Sequence, residues 1–236
     1  MGTLHLLVVP DIGTDLAAQL AKASFAREAP FAPVDFSWYA GVHPFGSSVL
    51  SPILMATFGV AACGLLSAVV SAVVFARLVR DTARPWAAAL SGSVFWVFDV
   101  ASGRITFAMG ATAGLLAVAA LPRAEPYRPR RLLAVGVLAL LCALLSPVSA
   151  AFLGLVAAVL VLHRRPGGWT MGLASTLPVV AVFLAFPGGG IQPFSAAWAI
   201  PSIALMLLIA YLTDYPLVRT AALLYAASLL FFAGHD

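Results

Sequence analysis

Between Leu50 and Phe232 the chain passes through about eight long apolar stretches, and nine arginines fall into just three of the gaps between them. That pattern fixes the solvent before any motif is considered. Hydrophobic residues make up 62% and charged residues 9% of the 236 residues, and the mean hydropathy is +1.03. A soluble domain carries about 25% charged and about 45–50% apolar residues, and no soluble fold hides an apolar surplus of this size. The sequence predicts an all-α protein: a polytopic transmembrane helical bundle of about eight spans plus a partial first one, with an extracytoplasmic loop that carries a juxtamembrane helix.

The spans fall at about 54–76, 86–99, 105–121, 132–146, 149–163, 169–187, 199–213 and 216–233, several of them shorter than the ~20 residues that cross a bilayer. The arginines orient them. Arg77, Arg80 and Arg84 follow the first span. Arg123, Arg128, Arg130 and Arg131 precede the fourth, and Arg164 and Arg165 follow the fifth. Successive clusters are two spans apart, so one topology puts all three in the cytoplasm, with Arg219 on the same side. The other face then receives residues 10–46, the loop around Asp99–Arg104, the Ser146–Pro147 turn and the loop Phe186–Trp198.

The chain divides into residues 1–46, a partial first helix and an outer loop, and residues 47–236, the helical bundle. Within the loop, residues 14–28 read as an amphipathic helix lying on the membrane surface: Thr14 and Asp15 suit a helix start, and Leu16, Leu20 and Phe25 roughly share a face. An irregular aromatic, Gly- and Pro-rich segment follows, then a short helix around Ser47–Thr57. Leu4–Val9 is apolar but too short to cross and lacks a basic leader, so it reads as the tail of a first helix, and the chain as a fragment or one with a misassigned start. The net charge of +4 comes from arginines at span ends, which are topology signals, so no nucleic acid is expected as a partner. Cys63 and Cys142 lie in apolar stretches and read as packing residues. Twelve of the thirteen basic residues are arginine and alanine is abundant, a bias associated with high-GC bacterial genomes.

Chemistry-bearing residues concentrate on the outer face. Asp11 and Asp15 stand one helical turn apart and suit a general base or a divalent-cation site; the competing reading makes Asp15 a helix N-terminal charge and Asp11 a solvated boundary residue. Asp35, Trp38, Tyr39 and His43 share a Gly/Pro-shaped loop. Its aromatics suit either interfacial anchors or a surface for sugar rings and polyprenyl tails, with Asp35 and His43 bonding hydroxyls. Asp99 and Arg104 read as a neutralising pair, or Arg104 as a phosphate holder through its bidentate fork. The loop FPGGGIQPFSAAW is a turn or a flexible flap. There is no GxxxxGK[ST], HExxH or CxxC motif.

The segment GTDLAAQLAKASFAREAPFAPVDFSWYAGVHPFGSSVLSP, with SGRITFAMG and FPGGGIQPFS, resembles a group of actinobacterial multi-spanning membrane proteins similar to the transmembrane part of GT-C type glycosyltransferases. The resemblance implies a bacterial cytoplasmic-membrane protein that takes a sugar from a polyprenyl-phosphate donor on the outer face. Asp11 or Asp15 would hold the family's acidic position as general base or metal ligand, Asp35, Trp38, Tyr39 and His43 would contact substrate, and Arg104 would hold the lipid phosphate. It covers about the first half of such a core. A non-catalytic integral membrane scaffold, working with membrane lipids and other membrane subunits, is the first alternative. A permease is the second; it would call for broken helices, to which Pro147 and Pro178 are suited.

Overall fold

The computed structural model describes residues 15–30, 32, 35, 48–121, 129–185 and 195–233, and the regular structure among them is entirely helical. Proline sets many of the starts. It lacks a donor and its φ is preset for a helix, so it suits a first turn whose N–H groups have no partner. Pro85, Pro129, Pro147 and Pro216 each open a helix and Pro52 is the second residue of another. The elements are α1 (Leu16–Glu28), α2 (Ser51–Phe58), α3 (Val60–Leu78), α4 (Pro85–Ala101), α5 (Ile105–Ala120), α6 (Pro129–Leu145), α7 (Pro147–Leu162), α8 (Gly168–Ala185), α9 (Ala196–Leu212) and α10 (Pro216–Ala233).

The expected boundaries shift for local reasons. Gly59, with φ of +90°, ends α2 and starts α3, so the first long stretch is a short helix and a long one. Pro129 draws Arg130 and Arg131 into the first turn of α6 rather than leaving them in a loop. Pro147 opens α7, and Pro178 sits inside an uninterrupted α8, so neither makes the broken helix a permease would use. Two helices, α3 and α8, are long and apolar enough by themselves to cross a membrane; shorter apolar stretches are Ile105–Ala120 in α5, Pro147–Leu162 in α7, Ala197–Leu212 in α9 and Pro216–Phe231 in α10. A 16-residue helix spans only about 24 Å, against the ~30 Å of a hydrocarbon core.

Close contacts give the helix directions. Ser71 on α3 hydrogen-bonds Thr112 on α5 at 2.8 Å, and Gly64 faces Ile105, so these two helices are parallel. Gly92 on α4 faces Phe75, so α4 returns antiparallel to α3. Gly110 and Gly114 on α5 meet Ser146 and Cys142 at the end of α6, an antiparallel pair, and Ser149 and Leu153 on α7, a parallel one. Gly154 opposite Thr176 and Gly168 opposite Val161 make α8 antiparallel to α7. The Phe152–Tyr225 ring contact and the 2.8 Å His163–Thr220 hydrogen bond make α10 antiparallel to α7 as well. The result is an up-and-down bundle with Arg77, Arg80, Arg84, Arg130, Arg131, Arg164, Arg165 and Arg219 at one end. Arg104 and α1 lie at the other.

The interior is built from small side chains. One cluster joins Ala113, Ala117, Ala139, Cys142, Ala150, Ala157 and Met171 across α5–α8; a second joins Ala23, Met55, Val60, Cys63, Ile105 and Met109 across α1, α2, α3 and α5. The two cysteines are buried in different clusters and unbonded, as packing residues would be. Large apolar side chains point outward: Leu66, Phe98, Phe183 and Leu184 are 65–75% exposed. Small residues allow the helix backbones to approach closely. In α1 the buried face is Gln19, Ala23 and Ala26 while Leu20 is exposed, so the expected Leu16/Leu20/Phe25 face is only partly the packed one. Residues 16–28 are thus tied into the bundle rather than standing apart from residues 47–236.

Ser146, alone between α6 and α7, is extended and accepts a hydrogen bond from the Ser149 backbone N–H at 3.3 Å. Removing such a cap costs about 1 kcal/mol. Ser146→Ala is expected to lower the apparent melting temperature in detergent by about 2–4 °C; an unchanged melt would mean the cap contributes nothing.

Candidate functional site

The end of the bundle opposite the arginine clusters is organised by one tight turn. At the end of α4 the Ser102 hydroxyl donates to the Asp99 carbonyl at 2.7 Å, and Gly103 turns the chain with φ of +83° into Arg104, the residue just before α5. Gly103 also lets α1 approach. A Cβ there would stand 2.5 Å from the Leu16 backbone nitrogen. That closeness puts Asp15 above the turn, where the Arg104 Nε lies 3.4 Å from its Oδ2. Both side chains are about half exposed, so the pair is worth about 1 kcal/mol at most. The sequence suggested Asp99 as the partner of Arg104; the guanidinium's ion pair is with Asp15 on α1, and its charge also acts on the Asp99 carboxylate.

Ser48 belongs to the next wall, and the residues after it hold it there. The Val49 and Leu50 N–H groups both donate to the Leu144 carbonyl at 3.0 Å, and the Ser51 hydroxyl donates to that of Leu145, strapping this segment to the end of α6. Ser149 on α7 donates to the Phe107 carbonyl on α5 at 2.9 Å. Between these elements lies a cavity of about 660 Å³. Its polar lining is Asp15, Gln19, Ser48, Asp99, Ser102, Arg104, Thr106 and Ser146, and its apolar wall is Phe95, Phe98, Phe107, Pro147, Val148 and Phe152.

The distribution of unmet hydrogen-bonding capacity is uneven. Among the described residues three buried side-chain polar atoms have no partner: Gln19 Oε1, Ser48 Oγ and Asp99 Oδ2. All three residues line this one cavity, and each is only 6–7% exposed. Burying such a group without a partner costs about 1–3 kcal/mol, more when it is charged. Native structures keep such groups where a ligand, ion or water meets them. The cavity thus combines buried acceptors, a cation at its mouth and an aromatic wall.

Of the residues singled out from sequence, Asp15, Asp99 and Arg104 come together here. Asp11, Trp38, Tyr39 and His43 lie outside the described residues. Asp35 lines a separate pocket of about 30 Å³ with Lys22, Phe25 and Pro52, adjoining the large one at Ser48. Burial pushes the Lys22 ammonium below the usual lysine pKa, against the raising effect of Asp15. For a divalent cation the described residues are a poor fit. Asp15 already faces a guanidinium, and no group of three His, Cys, Asp or Glu suited to a metal occurs among them.

Two of the three residues with unpartnered atoms, Gln19 and Ser48, were not foreseen, and Asp99 was read only as a charge partner of Arg104. Gln19 and Ser48 carry no signal in a single sequence. Asp99 did carry one, because a lone carboxylate inside the apolar run FWVFDVA is costly unless it serves a site. Comparison of the chain with protein-family models, with curated proteins and with solved structures returns no match, so what this cavity does is argued from its own chemistry.

Proposed function

We propose that the chain is a multi-pass protein of the bacterial plasma membrane, its arginine-rich end in the cytoplasm and its cavity end outside. In this reading it is a GT-C-like glycosyltransferase, or part of one, that takes a sugar from a polyprenyl-phosphate donor. Support for the membrane placement comes from the outward-facing apolar side chains and from the arginine end, where Trp86, Trp169, Tyr211 and Tyr215 are all more than 60% exposed. Aromatic residues beside arginines are the usual marks of a cytoplasmic interface.

One observation carries the functional reading: a single cavity combines Arg104 at its mouth, unpartnered acceptors inside it and aromatic rings along its wall. A guanidinium suits a phosphate. Phe98 and Val148 are lining residues that are also 70% and 57% exposed, so the cavity opens sideways between α4 and α7, the direction from which a prenyl chain would enter. In the transfer, an acceptor hydroxyl oxygen bonds to the sugar C1 as the C1–O bond to phosphate breaks. Polyprenyl phosphate leaves with that electron pair, and the hydroxyl proton passes to a carboxylate, for which Asp11 and Asp15 are the candidates from sequence.

The Asp15–Arg104 ion pair favours a second reading, a non-catalytic membrane scaffold, because it neutralises two groups an enzyme would use. The test is transfer in proteoliposomes. The purified chain is given radiolabelled polyprenyl-phosphate mannose or glucose with cell-envelope glycans, and the water-soluble label is counted. An enzyme moves label into glycan and leaves polyprenyl phosphate; a scaffold leaves the label in lipid.

A further inference from the structure

We infer that the groove between α6 and α8 holds one anionic phospholipid of the cytoplasmic leaflet. An acyl chain lies along the groove and the phosphate sits among Arg130, Arg131, Arg164 and Arg165. This rests on the membrane placement proposed above and not on the glycosyltransferase reading, because the groove opens at the arginine end of the bundle, away from the cavity. The groove has a volume of about 510 Å³, with Leu133, Val137 and Leu140 of α6 and Leu173 and Leu177 of α8 along its two sides. Thr170 carries the one polar side chain in its lining. From Leu132 and Thr170, in the first turns of the two helices, it runs to Leu140 and Pro178, about 12 Å at about 1.5 Å per residue. One leaflet of a hydrocarbon core is about 15 Å deep. That length fits an acyl chain ending within a leaflet and falls short of a partner helix, which would need contact across the whole core.

Charge selects the headgroup. Both helices begin at the head of the groove, and the positive end of a helix favours an anion. Neither has an acidic residue in its first turn, and α6 places Arg130 and Arg131 there. Arg164 and Arg165 lie in the turn just before α8. In that turn the Arg165 N–H donates to the Leu160 carbonyl at 2.7 Å, and Arg164 takes φ of +51°, where a helix usually ends on glycine. Among the described residues none of the four arginines is in an ion pair. Cations gathered at a cytoplasmic interface suit a lipid phosphate. A choline headgroup would set a further cation beside them, so phosphatidylglycerol is favoured over phosphatidylcholine.

The experiment titrates the full chain in detergent micelles with phosphatidylglycerol and with phosphatidylcholine of the same acyl chains, counting bound lipid by native mass spectrometry. The wild-type chain is expected to bind phosphatidylglycerol at least about 10-fold more tightly. Arg164→Gly removes a charge while giving the turn the residue it prefers, and it should lower that ratio by about 3–5-fold. Arg131→Gln should do the same. Val137→Trp fills the groove and keeps every arginine, and it should weaken phosphatidylglycerol binding as much as the loss of one arginine does. Arg77→Gln with Arg84→Gln removes charge from the same end of the bundle but away from the groove, and should leave the ratio unchanged. Equal affinities for the two lipids in the wild-type chain overturn the site. So does a preference that survives Arg164→Gly and Arg131→Gln, binding that ignores Val137→Trp, or an equal fall in the Arg77/Arg84 variant. Membrane placement is tested apart, with the chain in phosphatidylcholine vesicles washed in alkaline carbonate. A chain that stays in the vesicles leaves that placement standing whatever the titration gives, and a chain that washes off overturns both.

Discussion

Gly103→Ala is expected to lower the apparent melting temperature in detergent by about 5–15 °C and to release α1 from the polar end of the bundle. Two costs combine at this position. A φ of +83° is left-handed backbone, worth about 1–2 kcal/mol against an L side chain. The new Cβ would also stand 2.5 Å from the Leu16 nitrogen and 3.0 Å from its Cα, backbone atoms that cannot swing aside. Overpacking of that kind adds about 1–3 kcal/mol, and each kcal/mol shifts a melt by about 2–4 °C in a chain of this size. Gly59 supplies the control. Its φ is +90°, but a Cβ there meets nothing within 4 Å, so Gly59→Ala reports backbone strain alone. Gly59 also has ψ of +144°, backbone open essentially to glycine alone and worth about 1–3 kcal/mol, so Gly103→Ala should cost more than Gly59→Ala through the overpacking. Equal costs would show that the approach of α1 is not held by this contact. Loss of α1 also removes Asp15 and Gln19 from the cavity, so lipid binding should fall together with the melt.

The second large effect lies at the mouth. Arg104→Glu is expected to weaken binding of polyprenyl phosphate by at least about 100-fold, because it removes a charge-assisted hydrogen bond and places a second carboxylate beside Asp15. Asp15→Asn is expected to act in the opposite direction. It frees Arg104 from an exposed pair worth up to about 1 kcal/mol, so phosphate affinity should rise by up to about 5-fold. If Asp15 takes the acceptor proton, the same variant loses glycosyl transfer while holding its lipid more tightly. Tighter binding with transfer unchanged removes Asp15 from the chemistry. If Arg104→Glu leaves binding untouched, the phosphate sits elsewhere and the ion pair is structural.

These effects locate the boundary between what was readable along the chain and what was not. The apolar runs, the proline starts and the arginine gaps are local, and each acts through the few residues around it. That is why the helices from 60 to 233 fall within a few residues of their expected positions, and why the arginines of the expected clusters that fall among the described residues do share one end. The short helix before the first long one, and the helix over residues 16–28, were legible for the same reason. Gly59 was not, since a glycine in an apolar run reads equally well as a close helix contact or as a hinge.

The cavity was decided by contacts far apart in sequence. Asp15 meets Arg104 because Gly103 admits Leu16, and Ser48 reaches the cavity because residues 49–51 bond to the end of α6. None of this has a period or a motif. The sequence by itself determined a helical chain, its apolar surface and its polarised ends, because hydropathy and charge are properties of single residues. Which acceptors lack a partner, and that they line one cavity, is a property of three elements meeting, and only the tertiary structure decided it.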